Sequence, residues 1–344
     1  MATYTAQQNG LRRQRHGKRR LQITVLLLAL VILAFACTLL LGRSYTPPGD
    51  VLRILLGEQV AGASFTVGQL RLPRAILALL AGASFGMAGT AFQVMLRNPL
   101  ASPDIIGISS GASAAAVFAI IILGLNGVVV SLLAVVCGLA TALVVYGLAS
   151  RQGVAGARLI LVGIAVSAML ESVVAYVLAR APAWNLQEAL RWLTGSLNGA
   201  TLEQSLPLLL ALVVLGGVLA SLGRNLEALK LGDDAAAALG VQVAGTRVAV
   251  ILCAVGLISI ATAVTGPIAF VAFLSGPIAQ KIMDGTRSNL LPAALVGALL
   301  VLVGDFVGQV LLPSRYPVGV VTGALGAPYL IYLIIRVNRS GAAA

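Results

Sequence analysis

Long apolar, glycine-rich stretches separated by short polar joints run along this chain, and their lengths predict about ten membrane-spanning helices. A bilayer core ~30 Å thick, crossed at 1.5 Å per residue, needs about 20 mainly apolar residues per crossing. The stretches that meet this need are approximately 22 to 41, 74 to 95, 105 to 125, 127 to 149, 158 to 180, 205 to 223, 247 to 265, 268 to 284, 291 to 312 and 317 to 336. The short alternating segments of a β-barrel are absent. The predicted fold is therefore an all-α polytopic membrane protein. It divides into a basic tail over residues 1–21, a ten-helix domain over 22–336 and a short tail over 337–344. The second and third stretches are joined by Arg97-Asn98-Pro99-Leu100-Ala101-Ser102-Pro103-Asp104, a hydrophilic segment broken twice by proline.

Composition agrees with this medium, since 59% hydrophobic and 10% charged residues lie far outside the range of a soluble domain. Charge then sets orientation, because lysine and arginine are held on the cytoplasmic side during insertion. Ten crossings place both termini on one side. With that side cytoplasmic, only Arg43, Arg53, Arg71, Arg74, Arg180, Arg191 and Arg315 fall outside, against 16 basic residues inside. The net charge of +12 thus reads as topology. A nucleic-acid partner is not expected, because the one dense basic run is the N-terminal tail and no aromatic residue interleaves it. Ala34-Phe35-Ala36 before Cys37 resembles a cleavage site, but the apolar run continues through Leu41, so an uncleaved first helix is expected over a signal or lipoprotein reading. Cys37, Cys137 and Cys253 lie in separate spans and read as small core residues.

Catalytic chemistry finds little to build on. The sole histidine, His16, is in the basic tail, which excludes a histidine triad or histidine metal site within the membrane. Lys18, Lys230 and Lys281 are the only lysines, and none closes a phosphate-binding loop. The chain is expected to hydrolyse no ATP and to hold no cofactor or metal of its own. Glu171 and Asp305 sit inside apolar spans, where a carboxylate is either a functional group such as a proton relay or an interior group bonded to Ser and Thr neighbours. Gly82 with Gly86, Gly107 with Gly111 and Gly304 with Gly308 each stand four apart, on one helical face, and point to close helix packing.

Residues 224–246 form a polar segment after the sixth stretch, and within it Leu231-Gly232-Asp233-Asp234 to Leu239-Gly240 reads as a short helix. Asp233 can cap its free amides, Asp234 favours its positive end, four alanines have the best helix propensity, and Gly240 suits a left-handed stop. Such a helix serves either as a plug for a partner's cleft or as a solvated connector.

Taken together, the motifs resemble those of the FecCD-type permeases, the membrane subunits of ABC importers for iron chelates, haem and vitamin B12. They are Arg71-Leu72-Pro73-Arg74, the run from Gly86 through Gln93 to Pro103 and Gly111, Trp192-Leu193-Thr194-Gly195-Ser196-Leu197, Leu231 to Gly240, Gly266-Pro267-Ile268-Ala269-Phe270-Val271 and Pro317 to Pro328. The resemblance implies a BtuC-like, type II permease in the cytoplasmic membrane, with a second permease subunit, two ATPase subunits that bind ATP and Mg, and an extracytoplasmic solute-binding protein. It makes Leu231, Gly232, Asp233, Asp234, Leu239 and Gly240 the ATPase-coupling element and Arg71, Arg74 and Arg315 the docking residues for the binding protein. Gln93, Asn98, Pro99, Gly153, Ala155 and Gly156 match the path or gate. The chain departs from the family at Gly276-Pro277, where a proline-histidine pair is usual, a variant that favours a heterodimer. The implied activity is import of a ferric siderophore by alternating access, with haem or cobalamin as the alternative cargo and an ion-coupled carrier or channel as the alternative class.

Overall fold

The computed structural model describes the chain apart from Met1, Arg43, Leu100 and residues 103–106, 150–155, 284–287 and 342–344. Among the described residues the regular structure is helical, in the order α1 (Ala2–Leu40), α2 (Pro48–Leu55), a π-helical segment (Phe65–Arg71) continued by α3 (Leu72–Met95), α4 (Ile108–Ile121), α5 (Val128–Ala149), α6 (Gly156–Ala179), α7 (Ala183–Leu193), α8 (Leu202–Ser221), α9 (Gly223–Leu229), α10 (Asp233–Ala238), α11 (Val243–Thr265), α12 (Val271–Met283), α13 (Leu290–Phe306) with a π-helical end (Val307–Leu311), and α14 (Val318–Gly341). Every predicted stretch falls on one of these helices. Seven have the length and hydropathy of a full crossing, and Ile108–Ile121 and Val318–Leu333 are shorter apolar helices. The basic tail is continuous with the first apolar stretch in α1, because residues 2–21 contain no proline and isolated Gly10 and Gly17 each cost a helix only about 1 kcal/mol.

α3 is the axis of the bundle. Most of its residues are buried, and it packs against α8, α11, α12 and α13. With lipid on offer as an equally apolar solvent, helices associate through close van der Waals contact, which needs small residues at the crossing. Gly82 and Gly86 lie directly on the α13 backbone at Gly297 and Ala293, and any side chain there would collide with those carbonyls. Gly89 meets Ala272 of α12 in the same way. The pair read from the sequence at Gly82 and Gly86 therefore marks the α3–α13 crossing.

The crossing of α3 with α12 has a second device. Pro277 has no N–H, so the carbonyl four residues earlier, that of Phe273, loses its helical donor. Gln93 Nε2 donates to that carbonyl at 2.9 Å, and Gly276 leaves room for the amide. Gln93, expected on the translocation path, is thus only 7% exposed and occupied between two helices. Its role here is to satisfy a backbone group that proline orphans.

This pairing predicts a specific coupling. Replacing Gln93 by Leu leaves a buried carbonyl unsatisfied, so stability should fall by about 1–3 kcal/mol. In a Pro277→Ala background residue 277 regains its N–H, and the same change should cost less than about 1 kcal/mol. Reversible unfolding of the four proteins in mixed micelles measures the cycle, and equal losses in both backgrounds would refute the assignment.

Candidate functional site

Two polar clusters sit at opposite ends of α3, about 35 Å apart at 1.5 Å per residue. The first surrounds its beginning. Arg71, Arg74 and Arg315 line one cavity of about 460 Å³ together with Asn198, Asp305 and Gln309. The structure therefore brings all three sequence-predicted docking arginines to one place. It also distinguishes them.

Arg74 Nε and Nη2 donate to the two carboxylate oxygens of Asp305 at 2.5 and 2.6 Å, and Nη1 donates to Asn198 Oδ1 at 2.6 Å. The Asp305 side chain is 3% exposed and that of Arg74 15%. A bidentate fork of this kind is the strong form of a carboxylate contact. Arg71 is likewise engaged, donating to the carbonyls of Leu39 at 2.8 Å and Ser44 at 2.7 Å. Arg315 is exposed and makes no hydrogen bond or ion pair to another described residue. Arg315 is therefore the free cation of the three, while Arg71 and Arg74 shape the cavity that surrounds it. Of the two readings open for Asp305, the interior setting holds, with an arginine 231 positions away as its partner in place of Ser and Thr neighbours.

The loop that carries Asn198 is itself fixed from two sides. Ser196 N–H donates to the Thr265 carbonyl at 2.7 Å and Gly319 N–H to the Gly195 carbonyl at 3.1 Å. The end of α11 and the start of α14 are thereby tied to the arginine cavity. Trp192 to Leu197 and the Gly266 and Pro317 segments, separate along the sequence, are thereby joined in space.

At the other end, α3 closes in a left-handed cap. Arg97 has φ +53°. Asn98 N–H reaches the Gln93 carbonyl at 3.0 Å and Arg97 N–H the Val94 carbonyl at 3.2 Å, the paired bonds of a Schellman stop. Glycine is the usual residue there, and a non-glycine costs about 1–2 kcal/mol. Arg97 Nη2 donates to Asp233 Oδ1 at 3.3 Å, and Arg247 Nη2 of α11 donates to the same oxygen at 2.8 Å. Asp233 was expected to cap α10. It instead opens α10 as its first residue, after Gly232 at φ +108°, and its carboxylate clamps the helix to α3 and α11.

α10 stands out from the bundle on this clamp. Ala236 is buried underneath, whereas Asp234, Ala235, Ala237 and Ala238 are exposed and Leu231 and Leu239 are 67% and 65% exposed at its two ends. Gly240 takes φ +83° and ends the helix as its sequence predicts. Asn98 and Pro99 lie in the turn beside Arg97. Gly153 and Ala155 lie outside the described residues, and Gly156 begins α6.

Glu171 is exposed near the middle of α6, whose apolar stretch is only 11% buried. The interior setting expected for it is thus not present within this chain. Arg97, Arg247, Asn198 and the Arg74–Asp305 pairing were not assigned these roles from the sequence. The signal for the last was available, since an intramembrane acid and base at matching depths seek each other.

A many-helix membrane protein with a recessed arginine cavity at one end and a protruding clamped helix at the other has the form of a permease that engages different partners on its two sides. Residues 28–336 match the FecCD transport family. The ferric enterobactin transport system permease protein FepG of Escherichia coli (strain K12) is 40% identical over 93% of this chain and 98% of its own. The achromobactin transport system permease protein CbrC of Dickeya dadantii (strain 3937) is 40% identical over 94% of this chain and 95% of its own. A structure solved as an inward-facing conformation of a metal-chelate type ABC transporter superposes with a TM-score of 0.79 at 27% identity, covering 92% of this chain and 99% of that one. The chain belongs to the FecCD transport family and is a multi-pass membrane permease.

Two substitutions probe the two ends. Asp305→Asn removes one partner of a buried pair and should lower stability by about 3–5 kcal/mol, read as a lower unfolding midpoint of the purified protein. Arg97→Gly relieves backbone strain of about 1 kcal/mol and loses an exposed ion pair that contributes 0.2–1 kcal/mol. Its unfolding midpoint should hold or rise while transport falls, and a normal transport rate would show that the Arg97 arm of the clamp has no functional role.

Proposed function

We propose that this chain is one permease subunit of an ATP-driven importer that carries a ferric siderophore across the cytoplasmic membrane by alternating access. The observation that carries this reading is α10, held by Asp233 between Arg97 and Arg247 with its small-residue face turned outward. A helix gripped at its base transmits force, because displacing it must move α3 and α11 as well. A separate ATPase subunit that takes Leu231, the four alanines and Leu239 into a cleft would push on both helices. ATP and Mg would be bound by that subunit.

The outer cavity complements this. A solute-binding protein presenting acidic residues would meet Arg315, with Arg71 and Arg74 adding positive potential around it. Exposed pairs of this kind contribute about 0.2–1 kcal/mol each, so they orient docking more than they tighten it. Fixing both partners to the ends of α3 gives each a lever on the same two-state bundle. The ten helices then cross with both termini in the cytoplasm.

Glu171 supports a second permease. A lone carboxylate at the middle of a lipid-facing helix is costly, and such groups face a protein interior or an aqueous cavity. Covering α6 with a second, non-identical permease would place Glu171 along a central path. The alternative class, an ion-coupled carrier, is weakened because Asp305 is neutralised by Arg74 and a relay would be left with Glu171. A ferric siderophore is preferred over haem or cobalamin because both relatives named above serve systems named for siderophores.

The test is a reconstituted complex of both permeases and the ATPases with a binding protein loaded in turn with ferric catecholate, ferric hydroxamate, haem and cobalamin. ATPase stimulation and uptake should follow a ferric siderophore. Replacing Gly232 by Val and the Asp233-Asp234 pair by Arg should abolish both while the protein remains inserted. Uptake by the permease alone, without nucleotide, would overturn the reading.

A further inference from the structure

A second cleft, bordering the arginine cavity at Asn198, opens on the flank of the bundle, with a volume of about 790 Å³. Ile260 and Val264 of α11 form its floor, Val128 and Leu132 of α5 one wall, and Pro207 of α8 the other. The walls continue past the cleft as apolar surface. Val136 on α5 and Leu206, Leu210 and Val213 on α8 are each more than half exposed. Within a bilayer such a surface lies against acyl chains.

The rim of the cleft is different in kind. α7 places Glu188 and Arg191 one helical turn apart, and Glu203 lies in the first turn of α8. None of the three charged side chains makes a hydrogen bond or ion pair with another described residue. Trp184, 82% exposed, joins them at the level where indoles anchor to a membrane interface. The site is thus apolar below and zwitterionic above, with two carboxylates to one guanidinium.

We propose that this cleft holds an aminophospholipid of the outer leaflet, with the headgroup chemistry of phosphatidylethanolamine. One acyl chain lies on the α11 floor, the phosphate accepts from Arg191, and the primary ammonium donates to Glu188 and Glu203. Charge complementarity selects this occupant. An anionic headgroup satisfies Arg191 but leaves two carboxylates without a cation. A choline headgroup carries the charge without N–H donors, so it forms no charge-assisted hydrogen bond. Because α7 leads into the loop of Asn198, the lipid would sit against the element that closes the arginine cavity.

Native mass spectrometry of the complete transporter, incubated with equal amounts of phosphatidylethanolamine, phosphatidylcholine and phosphatidylglycerol, tests the assignment. Wild type should retain the ethanolamine lipid several-fold over the other two. The double variant Glu188→Gln/Glu203→Gln should lower that retention roughly tenfold and leave phosphatidylglycerol unchanged. Leu132→Trp, at an exposed position, should fill the cleft and displace the lipid even where the double variant does not assemble. Equal retention of the three lipids by wild type, or undiminished ethanolamine lipid in the variants, would overturn the proposal. So would a lipid-embedded structure with chelate or a segment of the binding protein in the cleft.

Discussion

Inside a bilayer one apolar helix has no hydrophobic reason to prefer another helix over lipid, so cohesion depends on how closely backbones approach. The contact of α3 with α13 at Gly82, Gly86 and Gly297 meets that condition, and everything else is arranged around it. With no side chains between them, the two helices place dispersion contacts and peptide dipoles at the shortest range. Gly89 extends the same close packing to α12. α3 is consequently fixed along its whole length and behaves as a strut.

Both functional clusters are anchored on the ends of that strut. Arg74 at one end holds Asp305 and Asn198, and Arg97 at the other holds α10 through Asp233. The two pairings differ in energy and in purpose. The Arg74–Asp305 fork is nearly buried, so breaking it exposes an uncompensated charge to a low-dielectric interior. The Arg97–Asp233 contact is 41% to 45% exposed and contributes little to stability, while Arg247, 17% exposed, holds the same carboxylate at 2.8 Å. One end of the strut is thus held by a buried pair and the other by a partly exposed one.

Much of the fold was legible because the membrane imposes a length and a composition on each crossing. Each predicted stretch falls on a helix, and Gly82 with Gly86 marked a real crossing. α7 was missed because its eleven residues mix polar and apolar positions and sit between spans. Pro182 before it and the Thr201–Gln204 capping box after it were the local signals. Asp233 was placed at the right helix end but given the wrong task, since a capping role can be read locally and a clamp cannot. The contact of Gln93 was hidden for a related reason. Its partner is the carbonyl of Phe273, which is orphaned only because Pro277 lies one turn further on.

The sequence by itself determined the medium, the helices, the family and the short alanine-rich helix with its glycine stop, because each follows from local periodicity, local propensity or an ordered set of motifs. Tertiary structure alone decided which charges meet. Asp305 finds Arg74 across 231 residues, Arg247 joins Arg97 on one carboxylate oxygen, Arg315 is left free and Glu171 is left facing outward. Those outcomes depend on how helices distant in the chain are laid side by side. That is set by the close contacts of small residues in three dimensions, which no single segment specifies.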